Sequence, residues 1–183
     1  DEDRGRAYVE MSGRKGLGVK ADDLVERLVE KALEQILDRQ PGERPDLSRA
    51  EAIAIGALRV YMTRTSRNKV IAFDFDEALA FEGDTGPYLQ YAAVRTANIF
   101  RKLEEKGFPG LLDADEAASV AALDAAHLDD GLWDVVRTCG RTQETFEKAG
   151  ETFEVSRLVR HALAVGAAFH HLYHTHPILQ AED

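Results

Sequence analysis

The stretch Ser12-Gly13-Arg14-Lys15-Gly16-Leu17-Gly18-Val19-Lys20 places three glycines and three cations behind a hydroxyl. Glycine lets backbone N–H groups approach and point at an anion, and the cations complete such a nest. That chemistry is phosphate binding. A basic hairpin turn in water carries the same residue types, and on composition the two readings are even. A second set lies on one helical face, where Tyr88, Tyr91, Arg95, Asn98 and Lys102 recur at three- and four-residue steps. Aromatic rings stack on unpaired bases and cations meet phosphates, so such a face can read RNA. Half-buried tyrosines beside a solvated cationic face give the same pattern, and on spacing alone that ordinary reading is the better one.

Other groupings have weaker claims. Asp74 and Asp76 alternate with Phe73 and Phe75, so in an extended segment both carboxylates share one side and could hold Mg²⁺ or act as acid and base. Nothing nearby completes a coordination set, and the preferred reading is that Asp74 or Asp76 caps a turn through Glu77-Ala78-Leu79. His170 and His174 stand four apart, a two-ligand metal spacing on a helix, but no third ligand is evident and no metal is expected. Cys139 is the single cysteine, which excludes an internal disulfide and fits a reducing compartment; it is expected to pack as a small apolar residue. Arg59, Arg64, Arg67 and Lys69 cluster at a helix end and in the following turn, where cations suit the helix C-terminus.

Local residue types supply the elements that must carry these groups. Gly83 and Gly86 permit unusual turn angles, Pro87 fits a first helical turn, and Asp84 or Thr85 can cap the aromatic helix. Its core stripe is expected to be Leu89, Ala93, Ala97, Phe100 and Leu103. Upstream, Ala7 to Met11 reads as a short strand entering the glycine-rich loop. Asp22-Asp23 should cap a helix with Glu26 in capping-box spacing, and Leu24, Leu28, Ala32, Leu33, Ile36 and Leu37 form its apolar stripe. Pro41, Gly42 and Pro45 end it. Ser48, with Glu51, should open the next helix, whose segment Ile53 to Leu58 is apolar nearly all round and is expected to be buried. Past the break at Lys106 to Gly110, residues 111–127 are alanine- and aspartate-rich and weakly helical. Asp129 or Asp130 then starts a helical stretch burying Leu132, Val135, Val136, Cys139 and Phe146. A last helix from about Glu154 is expected to bury Val155, Leu158, Ala162, Val165, Phe169, Leu172 and Tyr173. Successive amphipathic helices with short breaks make the fold class mainly α, a helical bundle preceded by a short strand–loop–helix.

At 183 residues the chain can form one large domain or two small ones, and 44% hydrophobic with 31% charged content describes a globular protein. No apolar run reaches bilayer length and no secretory leader opens the chain. Its 23 basic and 33 acidic residues give net −10, which argues against non-specific nucleic-acid binding and confines any RNA contact to local basic surface. The chain begins at Asp1 and reads as a piece of a longer polypeptide.

Three stretches, in order, resemble the arginyl-tRNA synthetase family. Phe81-Glu82-Gly83-Asp84-Thr85-Gly86-Pro87-Tyr88-Leu89-Gln90-Tyr91, with Arg95 after it, resembles the junction preceding that family's anticodon-binding helices. Met11-Ser12-Gly13-Arg14-Lys15-Gly16 is similar to its form of the class I loop generically worded Lys-Met-Ser-Lys-Ser, with Glu10 and Gly13 standing at the two lysine positions. Ala168-Phe169-His170-His171-Leu172-Tyr173, followed by Pro177-Ile178-Leu179, resembles the final helices of the anticodon domain, and Arg67-Asn68-Lys69 running into Phe73-Asp74-Phe75-Asp76 also reads like the family. The likeness is strongest over residues 8–24, 53–103 and 155–179 and weakest over 107–130.

The resemblance implies a division into 1–46, the end of a catalytic Rossmann-like domain with its ATP-phosphate loop; 47–83, a helical junction; and 84–183, an anticodon-binding bundle lacking about two C-terminal helices of the family. It implies catalytic roles for Arg14 and Lys15, ATP-phosphate contacts for Met11, Ser12, Gly13 and Gly16, and tRNA contacts for Tyr88, Tyr91, Arg95, Asn98, Lys102, Arg67 and Lys69. The expected reaction is ATP-dependent activation of arginine and its transfer to tRNA(Arg). ATP with Mg²⁺ is then a substrate held mainly by an upstream half with a His-Ile-Gly-His type motif, which this sequence does not show. A cytoplasmic monomer without membrane contact is expected, and the 183-residue piece alone is expected to be inactive. Alternatives are a helical RNA-binding module with no catalytic partner, and a cysteinyl enzyme, whose bundle is of the same kind but whose loop is richer in lysine.

Overall fold

The computed structural model describes residues 18, 20–40, 42, 44–107, 129–176 and 178. All regular structure among the described residues is helical, in keeping with the expected mainly-α class. The expected strand at 7–11, the loop Met11 to Gly16 with Arg14 and Lys15, the segment 111–127, and Pro177 and Leu179 lie outside the described residues. The chain divides into two compact units, Asp1–Pro87 and Tyr88–Asp183.

In the first unit, α1 (Ala21–Arg39) packs on α2 (Leu47–Thr63), with the single turn α3 (Phe75–Ala78) closing one end. Leu28, Ala32 and Ile36 recur every fourth residue on α1 and are buried, as the apolar periodicity predicts. They meet Ala50, Ala54, Ala57 and Tyr61 of α2 and Ala78 and Leu79 beyond it. Three alanines in the α2 stripe let the two helices approach closely, and complete burial of Leu28 alone contributes about 2 kcal/mol. Helix starts differ from expectation. Asp22 and Asp23 lie in the first turn of α1, where their charge meets the positive helix end, and Lys20 occupies the cap position without a side-chain bond. Asp46, not Ser48, caps α2, accepting from the Arg49 N–H at 3.0 Å. Ile55 is 40% exposed, so α2 is not buried all round.

Asp74 and Asp76 do not act as a pair. Asp74 caps α3, accepting from the Glu77 N–H at 2.8 Å, while Asp76 forms an ion pair with Lys31. Tyr61 organises the segment before them: its hydroxyl donates to the Ala72 carbonyl at 2.7 Å and accepts from the Asp74 N–H at 3.2 Å. Burial, before any neighbour, raises this phenol above its ordinary value. Arg64 lies over the Tyr61 ring at 4.3 Å, pairs with Glu77 and donates to the Asp84 carbonyl at 2.7 Å. It thereby ties the end of α2 to the turn before the next helix. In that turn Gly83 has φ +80°, and the Thr85 hydroxyl donates to the Ala80 carbonyl at 2.6 Å.

Helix α4 (Gly86–Glu105) follows, and the second unit continues with α5 (Asp130–Gly140), α6 (Thr142–Thr152) and α7 (Ser156–Thr175). Helix α7 is the hub: α5 and α6 pack on it, and side chains of α4 meet it at Gly166 and His170. Its buried face is Ser156, Leu163, Gly166 and His170, neighbouring the expected stripe, whose Leu158, Val165, Phe169, Leu172 and Tyr173 are half-buried and whose Val155 is exposed. Three partner helices on different sides broaden the covered arc, and small residues sit where the backbones come closest. Helix α4 is shifted likewise: Ala92 and Ile99 are buried while Ala93 and Ala97 are exposed.

Asp129 caps α5, accepting from the Leu132 N–H at 2.8 Å, as its position predicts, and its carboxylate also pairs with His176 at 2.5 Å. The Leu132 N–H first, and His176 among the other causes, hold Asp129 below its ordinary 3.8. Cys139 and Val136 are exposed and Phe146 is 60% exposed, against the expected buried side. A new helix starts at Thr142, which resets the helical phase between Cys139 and Phe146. Among the described residues no helix is long and apolar enough to cross a membrane.

Candidate nucleic-acid interface

Helices α4 and α7 each present ring-bearing residues three apart, Tyr88 and Tyr91 on one and His170 and Tyr173 on the other. Spacing of three or four puts such residues on one helical face, so the two pairs can mesh. His170 is the centre of the arrangement. Its ring stacks on Tyr91 at 5.5 Å between centroids and 16° between planes, and lies 4.9 Å from Tyr88 in a tilted contact. Gly166, one turn earlier on α7, leaves room beside it: a Cβ there would stand 3.5 Å from both Tyr88 Cε1 and Leu89 Cδ2.

Arg95, one turn beyond Tyr91, carries its guanidinium 3.9 Å over the Tyr173 ring and 5.1 Å from the Tyr91 ring centroid. Two aromatic neighbours of this kind orient a guanidinium without neutralising it. Tyr91, Arg95, Asn98 and Lys102 then line one cleft of about 210 Å³, with Val94, Ile99 and Tyr173 completing its wall. Four of the five α4 side chains singled out from spacing thus converge on one concavity. Tyr91 is 47% exposed, so its ring keeps open surface, whereas Tyr88 is half-buried against α7.

Arg67 and Lys69 lie on the first unit, exposed in the turn after α2, and the Lys69 N–H donates to the Ser66 carbonyl at 2.9 Å. Arg64, their neighbour in the basic cluster, is committed to Glu77 and Asp84. From sequence, Tyr173 was placed in a core stripe and the His170–His174 metal spacing was set aside, while the resemblance of Ala168 to Tyr173 to the family's final helices implied a part in shaping the RNA-facing side; the common i, i+3 register with the α4 tyrosines was a further signal. His174 is exposed, and among the described residues no group of three His, Cys, Asp or Glu side chains comes together.

Burial first, then Arg95 and His174, hold the His170 imidazole below its ordinary 6.5. Its Nε2 is buried with no hydrogen-bond partner among the described residues, so protonation would place an uncompensated charge between the tyrosines. The neutral ring is the one that packs. The unfolded chain therefore binds a proton that the folded ring resists, and stability is lost as pH falls from about 6.5 towards the lower folded value. Urea unfolding between about pH 5 and 8 should show a steeper loss on acidification for the native chain than for His170→Gln. Parallel curves would remove His170 as the cause. Asp129, already depressed, titrates below that window.

Comparisons with known proteins agree with this geometry. Residues 89–183 match the family model described as the DALR anticodon binding domain. The chain is 32% identical to the arginine–tRNA ligase of Thermococcus kodakarensis over 178 residues, which is 94% of this chain and 27% of that protein. It is 39% identical to the arginine–tRNA ligase of Thermus thermophilus over 123 residues, 67% of this chain and 21% of that protein. The solved arginyl-tRNA synthetase of Thermus thermophilus superposes with a TM-score of 0.70 at 26% identity, over 95% of this chain and 26% of that one. The chain thus spans about a quarter of the length of these relatives. With the family model covering half of its residues, from Leu89 within α4 onward and including all of α7, the chain belongs to the DALR anticodon-binding domain family.

Proposed function

We propose that this chain is the C-terminal, tRNA-binding portion of an arginine–tRNA ligase, and that the α4–α7 cleft receives unpaired bases of the anticodon loop of tRNA(Arg). The observation that carries the reading is the convergence of Tyr91, Arg95, Asn98 and Lys102, with Tyr173, on one concavity inside the region that matches the anticodon-binding family. An exposed phenol offers a stacking surface to any base, and the cations beside it meet the flanking phosphates. A net charge of −10 disfavours loose polyanion binding, so a partner must fit the basic concavity to be held. Arg67 and Lys69, on the first unit, are proposed as contacts to a different part of the same RNA.

Residues Met11, Ser12, Gly13 and Gly16 are proposed to approach the ATP phosphates, with Arg14 and Lys15 stabilising charge on the departing pyrophosphate during arginine activation. ATP with Mg²⁺ and arginine are then substrates held mainly by the remainder of a longer protein that acts as a monomer in the cytoplasm. The direct test is equilibrium binding of the 183-residue chain to a tRNA(Arg) transcript against a tRNA of different anticodon at fixed salt. Preference for the first supports the reading, and equal affinity overturns it. The same chain should show no arginine-dependent ATP–pyrophosphate exchange. In the full-length protein, Lys15→Ala should slow activation far more than it weakens tRNA binding, since its contribution belongs to the transition state. Equal losses would make Lys15 an RNA contact instead.

A further inference from the structure

A second concavity in the same unit, of about 460 Å³, lies between α6 and α7 and is lined by Arg141, Glu144, Thr145 and Lys148 on one side and Arg157, Arg160 and His161 on the other. We propose that it is a binding site for the phosphodiester backbone of RNA, distinct from the α4–α7 cleft. The inference rests on the preceding reading only in taking the RNA to be the tRNA that the chain binds.

The charge arrangement carries it. Arg141, Thr145 and Lys148 fall on one face of α6 at steps of four and three, and Arg157 with Arg160 or His161 stands at steps of three and four on α7, so the cations of the two helices face one concavity. Arg141 joins α5 to α6, as C-cap of the first and N-cap of the second, with Glu144 in the first turn of α6; Arg157 is the second residue of α7, whose first turn contains no acid. Lys148 pairs with Glu144, whose carboxylate Arg141 also helps to hold below its ordinary value; among the described residues no carboxylate forms an ion pair with Arg157 or Arg160. In a chain of net −10, Arg141, Arg157 and Arg160 gathered at one concavity stand out as local positive potential.

The side chains are also held in place. Arg160 donates from Nε to the Ser156 carbonyl at 3.2 Å and from Nη2 to the Ser156 hydroxyl at 3.1 Å, which leaves Nη1 for an incoming oxygen. Ser156 is buried, and its own hydroxyl donates to Glu154 at 2.8 Å. On the other wall the Thr142 hydroxyl donates to the Cys139 carbonyl at 2.6 Å, so its contact with His161 Nε2 at 2.9 Å is made by accepting. That leaves His161 protonated at Nε2. Guanidiniums matched to phosphate oxygens and a cavity far larger than one phosphate fit a run of backbone rather than a single anion. Arg160 and Tyr173 are about 20 Å apart along α7, a span of several nucleotides.

The test is the salt dependence of tRNA(Arg) binding by the 183-residue chain and by Arg141→Gln/Arg157→Gln, with Tyr91→Ala alongside. Loss of two phosphate contacts should flatten the slope of log K against log salt by about 1.5. The double variant should keep a melting temperature close to the native one, because both side chains are exposed. An unchanged slope overturns the proposal, as does a slope change matched by a loss of folded structure. If Tyr91→Ala leaves affinity untouched while the double variant flattens the slope, the base-stacking reading fails and this site stands; the opposite result removes this site alone. Competition completes the experiment. Displacement of RNA by millimolar inorganic phosphate would make it a small-anion site, and displacement by polyglutamate as effective as by RNA would make it a surface for an acidic protein segment; either overturns the RNA assignment.

Discussion

Gly86→Ala is expected to destabilise the first unit by about 3 kcal/mol, read as a shift in the urea midpoint. Glycine-to-alanine changes inside helices ordinarily help, by roughly 0.5–1 kcal/mol, because alanine has less backbone freedom to lose. Here the added Cβ would stand 2.6 Å from Ala57 Cα, 2.7 Å from the Gly56 carbonyl oxygen and 2.8 Å from the Ala57 nitrogen. All three are backbone atoms, and none can rotate aside. Relief requires α2 to move, and α2 contributes Ala50, Ala54, Ala57 and Tyr61 to the core. Gly166→Ala is the internal control. Its Cβ would meet only side chains, at 3.5 Å and beyond, so the ordinary helix preference should prevail and the second unit should gain up to about 1 kcal/mol. Two losses of equal size would show that crowding at Gly86 is not the cause.

Tyr91→Ala is expected to weaken tRNA(Arg) binding by about 1–3 kcal/mol, the usual worth of one base stacked on one aromatic ring. Tyr91→Phe should stay close to native, because the ring and not the hydroxyl supplies the stacking surface. Tyr91 is the informative position of the two tyrosines. It is 47% exposed, so its removal costs the fold little, whereas Tyr88 packs on α7 beside Gly166 and His170 and its loss would mix stability with affinity. Arg95→Lys should also weaken binding, because a lysine cannot reproduce a flat guanidinium held 3.9 Å over Tyr173. All affinities must be taken at one salt concentration, since phosphate contacts make each of them salt-dependent. No change in Tyr91→Ala would return that ring to the status of an ordinary surface tyrosine.

Much of this was legible in one dimension, and the failures share a cause. The α1 stripe through Leu28, Ala32 and Ile36 was readable because that helix has one principal partner, so a single apolar face suffices. The α4 and α7 stripes were misphased because each face depends on which neighbours cover it, and Ala92 buried against Ala93 exposed cannot be told apart by hydrophobicity. The caps at Asp74 and Asp129 were legible, since a carboxylate three residues before a helical N–H is a local event. Asp46 was overlooked in favour of Ser48, because two capping residues two positions apart leave the choice to the path of the chain after Pro45.

The sequence by itself determined the helical class and put five α4 residues on one face, since those follow from residue type and spacing within one element, and the resemblance of three separate stretches pointed to the family. Only the tertiary structure decided that His170 and Tyr173 join the tyrosines, that Arg64 belongs to the fold, and that three arginines on α6 and α7 face one concavity. The physical reason is that a helix repeats every 3.6 residues and so announces its own faces, while the meeting of two faces depends on the turns and packing between them.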